Sequence, residues 1–296
     1  MPVTVLASAA SAGVTASSLA LTLASPRPSV LAECDPKGGT LRAGFLDEQF
    51  TAGVGLHHLA AAARVGSEAL AHAVAAHLWS VDEAGHRRVL PGLTDPAQAA
   101  ALERTWPALS DIFHILAHEA GHDVFIDAGR LAFTAGRLHA TLTPAPLIHH
   151  ADLVLLVVRN TKASLALASH LVDPLRAELE DSGSGAGALG LLVIEREAAR
   201  GGRGYTTHQI ADALKTPVLA ALPWDAPVAD YLIEGGSPPR GYARSDLLRH
   251  ARTAAEQLAA HAQRHRIQQQ FPAPRPQTAG VLQRLQNRAA AGGRRG

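Results

Sequence analysis

Six short apolar runs punctuate the chain: Val3–Leu6, Ser29–Glu33, Asp123–Asp127, Leu153–Val158, Leu189–Ile194 and Val218–Leu222. They are rich in Val, Ile and Leu and bounded by Gly, Pro, Ser or Asp, a pattern that predicts β-strands. Most read as continuous apolar stretches, not as alternating apolar and polar positions. Strands of that kind are expected to be buried on both faces, as in a parallel sheet. Between them, apolar positions recur at helical spacing. Helices are predicted at Ala16–Ala24, Gly55–Arg64, Glu68–Ala76, Pro96–Ala120, Thr161–Ser182 and Thr207–Leu214, and from Ser245 to about Arg266. Strands alternating with helices predict an α/β fold: a doubly wound, mostly parallel sheet covered by helices on both sides. This pattern runs over residues 1–262 as one domain. Residues 263–296 read differently: Gln268–Gln277 is rich in Pro and Gln, and the segment is expected to be a disordered basic tail.

Composition adds three constraints. The 296 residues are 47% hydrophobic, enough for one large core. The net charge of +1 is unevenly placed: the last 34 residues hold seven Arg and no acidic residue. That leaves 20 of the 27 basic side chains against all 26 acidic ones, so the body is mildly acidic, at −6. Cys34 is the single cysteine, which rules out an internal disulfide and fits a reducing compartment. The first residues lack the basic region of a secretory signal, and no apolar run reaches the length of a membrane span. A cytoplasmic protein is expected.

The chemistry begins after the first predicted strand, where residues 7 to 18 read Ala-Ser-Ala-Ala-Ser-Ala-Gly-Val-Thr-Ala-Ser-Ser. Strand, small-residue loop and helix is the layout of a phosphate-binding loop, in which backbone N–H groups and a helix N-terminus face the anion. Against the pattern G-x-x-x-x-G-K-[ST], Gly13 and Thr15 are in place, Ser8 replaces the first glycine and Val14 the lysine. Alone, the stretch also fits a plain turn. The second strand ends in Glu33-Cys34-Asp35-Pro36 and the third in Asp127-Ala128-Gly129-Arg130. Thr15, Asp35 and Asp127 are therefore expected at adjoining strand ends, the hard oxygen donors that suit magnesium.

These elements together resemble the MinD/ParA family of deviant P-loop ATPases, in particular actinobacterial MinD-like proteins. Glu33-Cys34-Asp35-Pro36 is similar to the family's D-x-D-P element, and Asp127-Ala128-Gly129 to its Walker B element. Ala151–Arg159 is similar to its central strand, and Thr206–Leu222 with Pro223-Trp224-Asp225 to its closing unit. The likeness spans about residues 2 to 262. It implies a P-loop NTPase-like fold, binding of ATP and Mg, a homodimer and partitioning or positioning of a cargo. Carried onto this chain, it implies Asp35 and Asp127 as catalytic residues, Thr15, Asp35 and Asp127 as magnesium ligands, and Ser11, Ala12, Gly13, Val14, Thr15, Ala16, Glu195 and Pro223 as nucleotide contacts. The chain departs from the family where the chemistry is most demanding. The signature lysine that reaches the partner's nucleotide falls on Ala9, the phosphate lysine on Val14, and an Asn-Arg pair that reads adenine on Glu195-Arg196. Binding without these lysines is expected to be weaker and hydrolysis weaker still or lost, since they also stabilise charge that develops in the transition state. Lys37 or Arg130 are candidates to supply the missing charge. The alternative is a non-catalytic interaction module, a pseudo-ATPase.

Three other features are weaker. His118-Glu119-Ala120-Gly121-His122 matches the H-E-x-x-H zinc-peptidase pattern, but Gly121 is expected to end the helix inside the motif. Cys34 reads as a buried strand residue, and His57-His58 and His149-His150 as surface or helix-end residues. In the tail, Val281, Leu282 and Leu285 lie at helical spacing beside Arg284 and Arg288. Contact with a membrane surface, DNA or another partner, or simple solvation, all fit that segment.

Overall fold

The computed structural model describes residues 1–46, 53–196 and 204–270. Among the described residues there are ten strands: β1 (Val3–Ser8), β2 (Ser29–Glu33), β3 (Trp79–Ser80), β4 (Arg87–Leu90), β5 (Asp123–Arg130), β6 (Phe133–Thr134), β7 (Arg137–Leu138), β8 (Leu153–Arg159), β9 (Leu189–Glu195) and β10 (Val218–Pro223). Eight of them form one sheet in the order β10-β9-β8-β1-β5-β2-β4-β3, and β6-β7 is a small hairpin. Every pairing in the large sheet is parallel except β3 with β4. The doubly wound, mostly parallel α/β fold expected from the strand pattern is thus the observed one.

The helices are α1 (Val14–Ala24), α2 (Thr40–Ala43), α3 (Leu59–Val65), α4 (Ser67–His77), α5 (Ala99–Leu102), α6 (Trp106–His118), α7 (Ala145–His149), α8 (Lys162–Asp181), α9 (Thr207–Leu214), α10 (Ala226–Glu234) and α11 (Asp246–Gln270). Strand side chains alternate between two cores. Val3, Val5, Ala7, Val124, Ile126, Val154 and Leu156 face one, closed by α6 and α8. Leu6, Leu31, Phe125, Leu153, Leu155 and Val157 face the other, closed by α1, α10 and α11. The period of two is present after all, but both faces are apolar, which hides it in the sequence.

Three boundaries differ from expectation. The long helix predicted over Pro96–Ala120 is broken into a 3-10 turn, α5 and α6. Pro107 accounts for the break, because its ring excludes the preceding turn's carbonyl and it has no N–H to donate. The strands β3 and β4 and the helix α10 escaped the sequence reading; α10 is announced only by Asp225, which caps Val228 N–H, and by Pro227 in its first turn. Finally, α11 continues to Gln270, so residues 263–270 are helical and not part of a disordered tail. Residues 271–296, including the basic Val281–Arg288 segment, lie outside the described residues. No helix among the described residues is long and apolar enough to cross a membrane.

Candidate nucleotide site

β1 and β5 are neighbours, yet the chain leaves β1 toward β2 on one side and β8 flanks β1 on the other. That reversal creates a crevice at the C-terminal strand ends, where open α/β sheets bind ligands. The small-residue loop after β1 lies there. Gly13 caps α1 with φ 98°, a left-handed conformation that a side chain resists, and a Cβ on it would approach Ile194 Cδ1 to 3.0 Å. The first turn of α1 has no acidic side chain. Its backbone N–H groups and dipole therefore offer uncompensated positive potential.

Sheet register brings the carboxylates to the same place. In β5, Asp127 stands opposite Leu6 of β1 on one side and Glu33 of β2 on the other. Thr15 Oγ1 donates to Asp127 Oδ2 at 2.6 Å, and Gly129 N–H donates to Oδ1 at 2.9 Å. Asp35 is half-buried beside them and accepts the Lys37 N–H at 2.9 Å. Gly129 has φ 64°, and a Cβ on it would fall 2.1 Å from the Asp35 carboxyl. Only glycine lets Asp35 stand so close to the Asp127 strand. Burial pushes the Asp127 carboxyl up to about 7, helped by the charges of Glu33 and Asp35 and opposed by the Thr15 hydrogen bond. Burial likewise raises Asp35, while the Lys37 N–H and the charges of Lys37 and Arg130 pull it down.

Glu33 has a different task. Its carboxylate accepts N–H groups from Gly39 and Leu41, both at 3.1 Å, and from Gly92 at 2.8 Å. It pins the loop after β2 and the loop after β4 to the sheet, and its pKa is raised by burial despite those three donors. A glutamate at the first acidic position is thereby committed to structure.

The cleft has a volume of about 380 Å3 and is lined by residues from both sides of the loop, among them Ser11, Thr15, Asp35, Arg130, Arg159 and Trp224. Ser11, Ala12, Gly13, Val14, Thr15 and Ala16 all line it. Glu195 and Pro223 do not; Glu195 is exposed at the end of β9, Pro223 sits opposite it in β10, and Trp224, which donates its N–H to Glu195 O at 2.8 Å, faces the cleft instead. Val14, where the resemblance leads one to expect a lysine, is buried and belongs to the same apolar cluster as Leu6, Leu19 and Ile194. Two arginines flank the loop. Arg130 Nη2 donates to Ser11 Oγ at 3.1 Å. Arg159 reaches the Ala12 carbonyl at 3.5 Å, and its guanidinium lies 5.4 Å from the centre of the Trp224 ring. Arg159 ends β8 and Trp224 follows β10, and no local pattern marks either as a site residue.

The H-E-x-x-H stretch is not a helical motif. α6 ends at His118, Glu119 is its C-cap, and Gly121 turns the chain at φ 72°, so His118 and His122 do not share a helical face. Cys34 is fully buried, as its strand context implied. His149 is not a free surface residue: its Nε2 lies 2.7 Å from Glu178 Oε2.

No protein-family model matches the chain, and no curated protein sequence matches it. Solved structures do. A ParA family ATPase from Chlorobium tepidum TLS superposes with a TM-score of 0.59 at 17% identity, covering 86% of this chain and 97% of its own. The septum site-determining protein MinD from Pyrococcus horikoshii OT3, complexed with Mg-ADP, gives 0.58 at 17% identity over 90% of this chain and 99% of its own. A McdA variant from Cyanothece in complex with ATP gives 0.61 at 15% identity over 88% and 96%. The chain has the fold of the MinD/ParA ATPases, and its carboxylates and small-residue loop meet in one cleft at the C-terminal ends of the strands.

Proposed function

We propose that this chain is a MinD/ParA-like nucleotide-binding protein. In this reading it uses ATP and magnesium to control self-association and the positioning of a DNA, protein or membrane-associated cargo, and its hydrolysis is weak or lost. The observation that carries the reading is the 2.6 Å contact of Thr15 Oγ1 with Asp127 Oδ2 at the head of α1, with Asp35 alongside in the same cleft. A hydroxyl and two carboxylates, one of them held protonatable near neutrality by burial, are a hard-oxygen set that a divalent cation would relieve. Thr15, Asp35 and Asp127 would hold magnesium, which when bound neutralises phosphate charge. The α1 N-terminus and the loop N–H groups of Gly13 to Thr15 would cradle the phosphates. Arg130 and Arg159 would supply the charge that Ala9 and Val14 do not, one from each side of the loop. Each charge-assisted contact contributes about 1.5–3 kcal/mol. Glu195 and Pro223 would act through Trp224 at the base end of the cleft.

Titration calorimetry with ATP and magnesium tests the proposal. Micromolar to millimolar binding is expected, weakened at least about tenfold by Thr15→Val and by the double change of Arg130 and Arg159 to alanine. No heat and no thermal shift at millimolar ATP would sink it. The reading then left is a pseudo-ATPase interaction module, which one observation favours: Val14, although it borders the cleft, is buried and belongs to the apolar core.

A further inference from the structure

The opposite end of the sheet holds a second polar cluster. β1 separates the two ends by six residues, about 20 Å of extended chain. His114 and His118 occupy one face of α6 at i and i+4, with ring centres 5.2 Å apart. Asp152 precedes β8 and is anchored by accepting Val3 N–H at 2.8 Å. One ligating atom from each of His114, His118 and Asp152 lies within 4.8 Å of the other two. Tetrahedral zinc with bonds of about 2.0–2.1 Å needs ligand atoms about 3.4 Å apart, so small side-chain rotations close the triangle. His118 Nε2 is already 3.6 Å from Asp152 Oδ2.

Two details point to a ligand and not to a casual histidine surface. His114 Nε2 lies 2.8 Å from the His150 carbonyl, which can only accept, so the neutral ring keeps its lone pair on Nδ1. A backbone carbonyl on the far nitrogen is the usual way a metal-bound histidine is oriented. A cation also sits on this lone-pair cluster in the fold itself. Arg266 Nη2 donates to His118 Nε2 at 2.8 Å and to Asp152 Oδ1 at 2.9 Å. The neighbouring cleft, about 400 Å3 and lined by His150, His265 and Gln269 among others, leaves the cluster open to solvent.

We propose that His114, His118 and Asp152 bind a divalent transition-metal ion of the zinc class, and that Arg266 and the metal compete for His118 and Asp152. Arg266 lies in the last turns of α11, immediately before residues 271–296. Metal binding therefore exchanges a guanidinium for a dication and releases the Arg266 side chain from His118 and Asp152, while Gln269, which donates to Ser184 O, still ties the helix end down. The site shares His118 with the H-E-x-x-H stretch but uses His114 in place of His122, and it implies no peptidase chemistry.

The full chain titrated with Zn2+ in a non-chelating buffer should take up one tight equivalent. The double variant His114→Ala/His118→Ala should lose that equivalent, and Arg266→Ala should bind zinc at least tenfold more tightly. An unchanged tight equivalent in the double variant, or no tight equivalent in the parent, would overturn the site. Unchanged affinity in Arg266→Ala would overturn the competition. Where circular dichroism shows the double variant unfolded, the Co2+ absorption band of the parent and its response to Arg266→Ala decide: a tetrahedral band strengthened by the variant supports the site, and its absence rejects it.

Discussion

The two ends of the central sheet treat carboxylates in opposite ways. At the N-terminal end, Asp123 is buried under the Arg27 guanidinium, which grips both of its oxygens, and Asp152 is paired with Arg266. At the C-terminal end, Glu33, Asp35 and Asp127 crowd together, and among the described residues none of the three has an ion-pair partner of its own. The arginines there bond elsewhere, Arg130 to Ser11 and Arg159 to the Ala12 carbonyl. A fold that pairs its carboxylates directly where they only tie elements together, and crowds them without a direct ion pair around a helix N-terminus, concentrates unfavourable electrostatics at one place. That is the usual mark of a site awaiting a charged ligand. Glu33 refines the contrast: its carboxylate is saturated by three N–H donors and feels the charge of Arg42, so it belongs to the structure of the loops.

The comparison breaks most visibly with pH. In the folded chain Asp127 holds its proton up to about 7, whereas a free aspartate loses it near 3.8. Between those values the folded state binds the extra proton, so stability falls as pH rises through that window, by on the order of 4 kcal/mol. Chelator-treated protein should show a lower urea midpoint at pH 8 than at pH 5, and Asp127→Asn should flatten the difference. Glu33→Ala comes next. It orphans the N–H groups of Gly39, Leu41 and Gly92 and should cost about 3 kcal/mol in denaturant unfolding. If Glu33 were a magnesium ligand and not a loop latch, stability would hold and only metal-dependent binding would fall. Val14→Lys places charge back into the loop. ATP affinity should rise about tenfold to a hundredfold by calorimetry, against a loss of about 1–2 kcal/mol of stability from the vacated apolar contact. The smallest effect is expected at the compensated end. Arg266 is 38% exposed, and Arg266→Ala should change stability by less than about 1 kcal/mol in thermal unfolding.

Much of the candidate site was legible because its parts follow strands. Gly13, Thr15, Asp35 and Asp127 each come directly after, or near the end of, an apolar run, and parallel strands put such positions at one edge. Arg159 and Trp224 were not legible. They come from the ends of β8 and β10, and their approach to the loop depends on strand order, which no single segment encodes. Glu195 and Pro223 were inferred from the family's pattern, and the geometry gives their place on the cleft wall to Trp224. The short strands β3 and β4 were missed because two to four residues at a sheet edge leave no periodic signal. The same holds for His114 with Asp152: one lies on α6 and the other just before β8, so only the packing of these elements brings them together.

The amino-acid sequence by itself determined the alternation of strands and helices, the doubly buried parallel sheet and the lysine-free loop, because each is written in local residue chemistry and spacing. Tertiary structure alone decided which charges meet. It turned Val14 into core, made Glu33 a latch, left Asp127 protonatable near neutrality and set Arg130, Arg159 and Trp224 around one cleft. Electrostatic energies depend on distance and burial, and both are properties of the packed fold and not of neighbours along the chain.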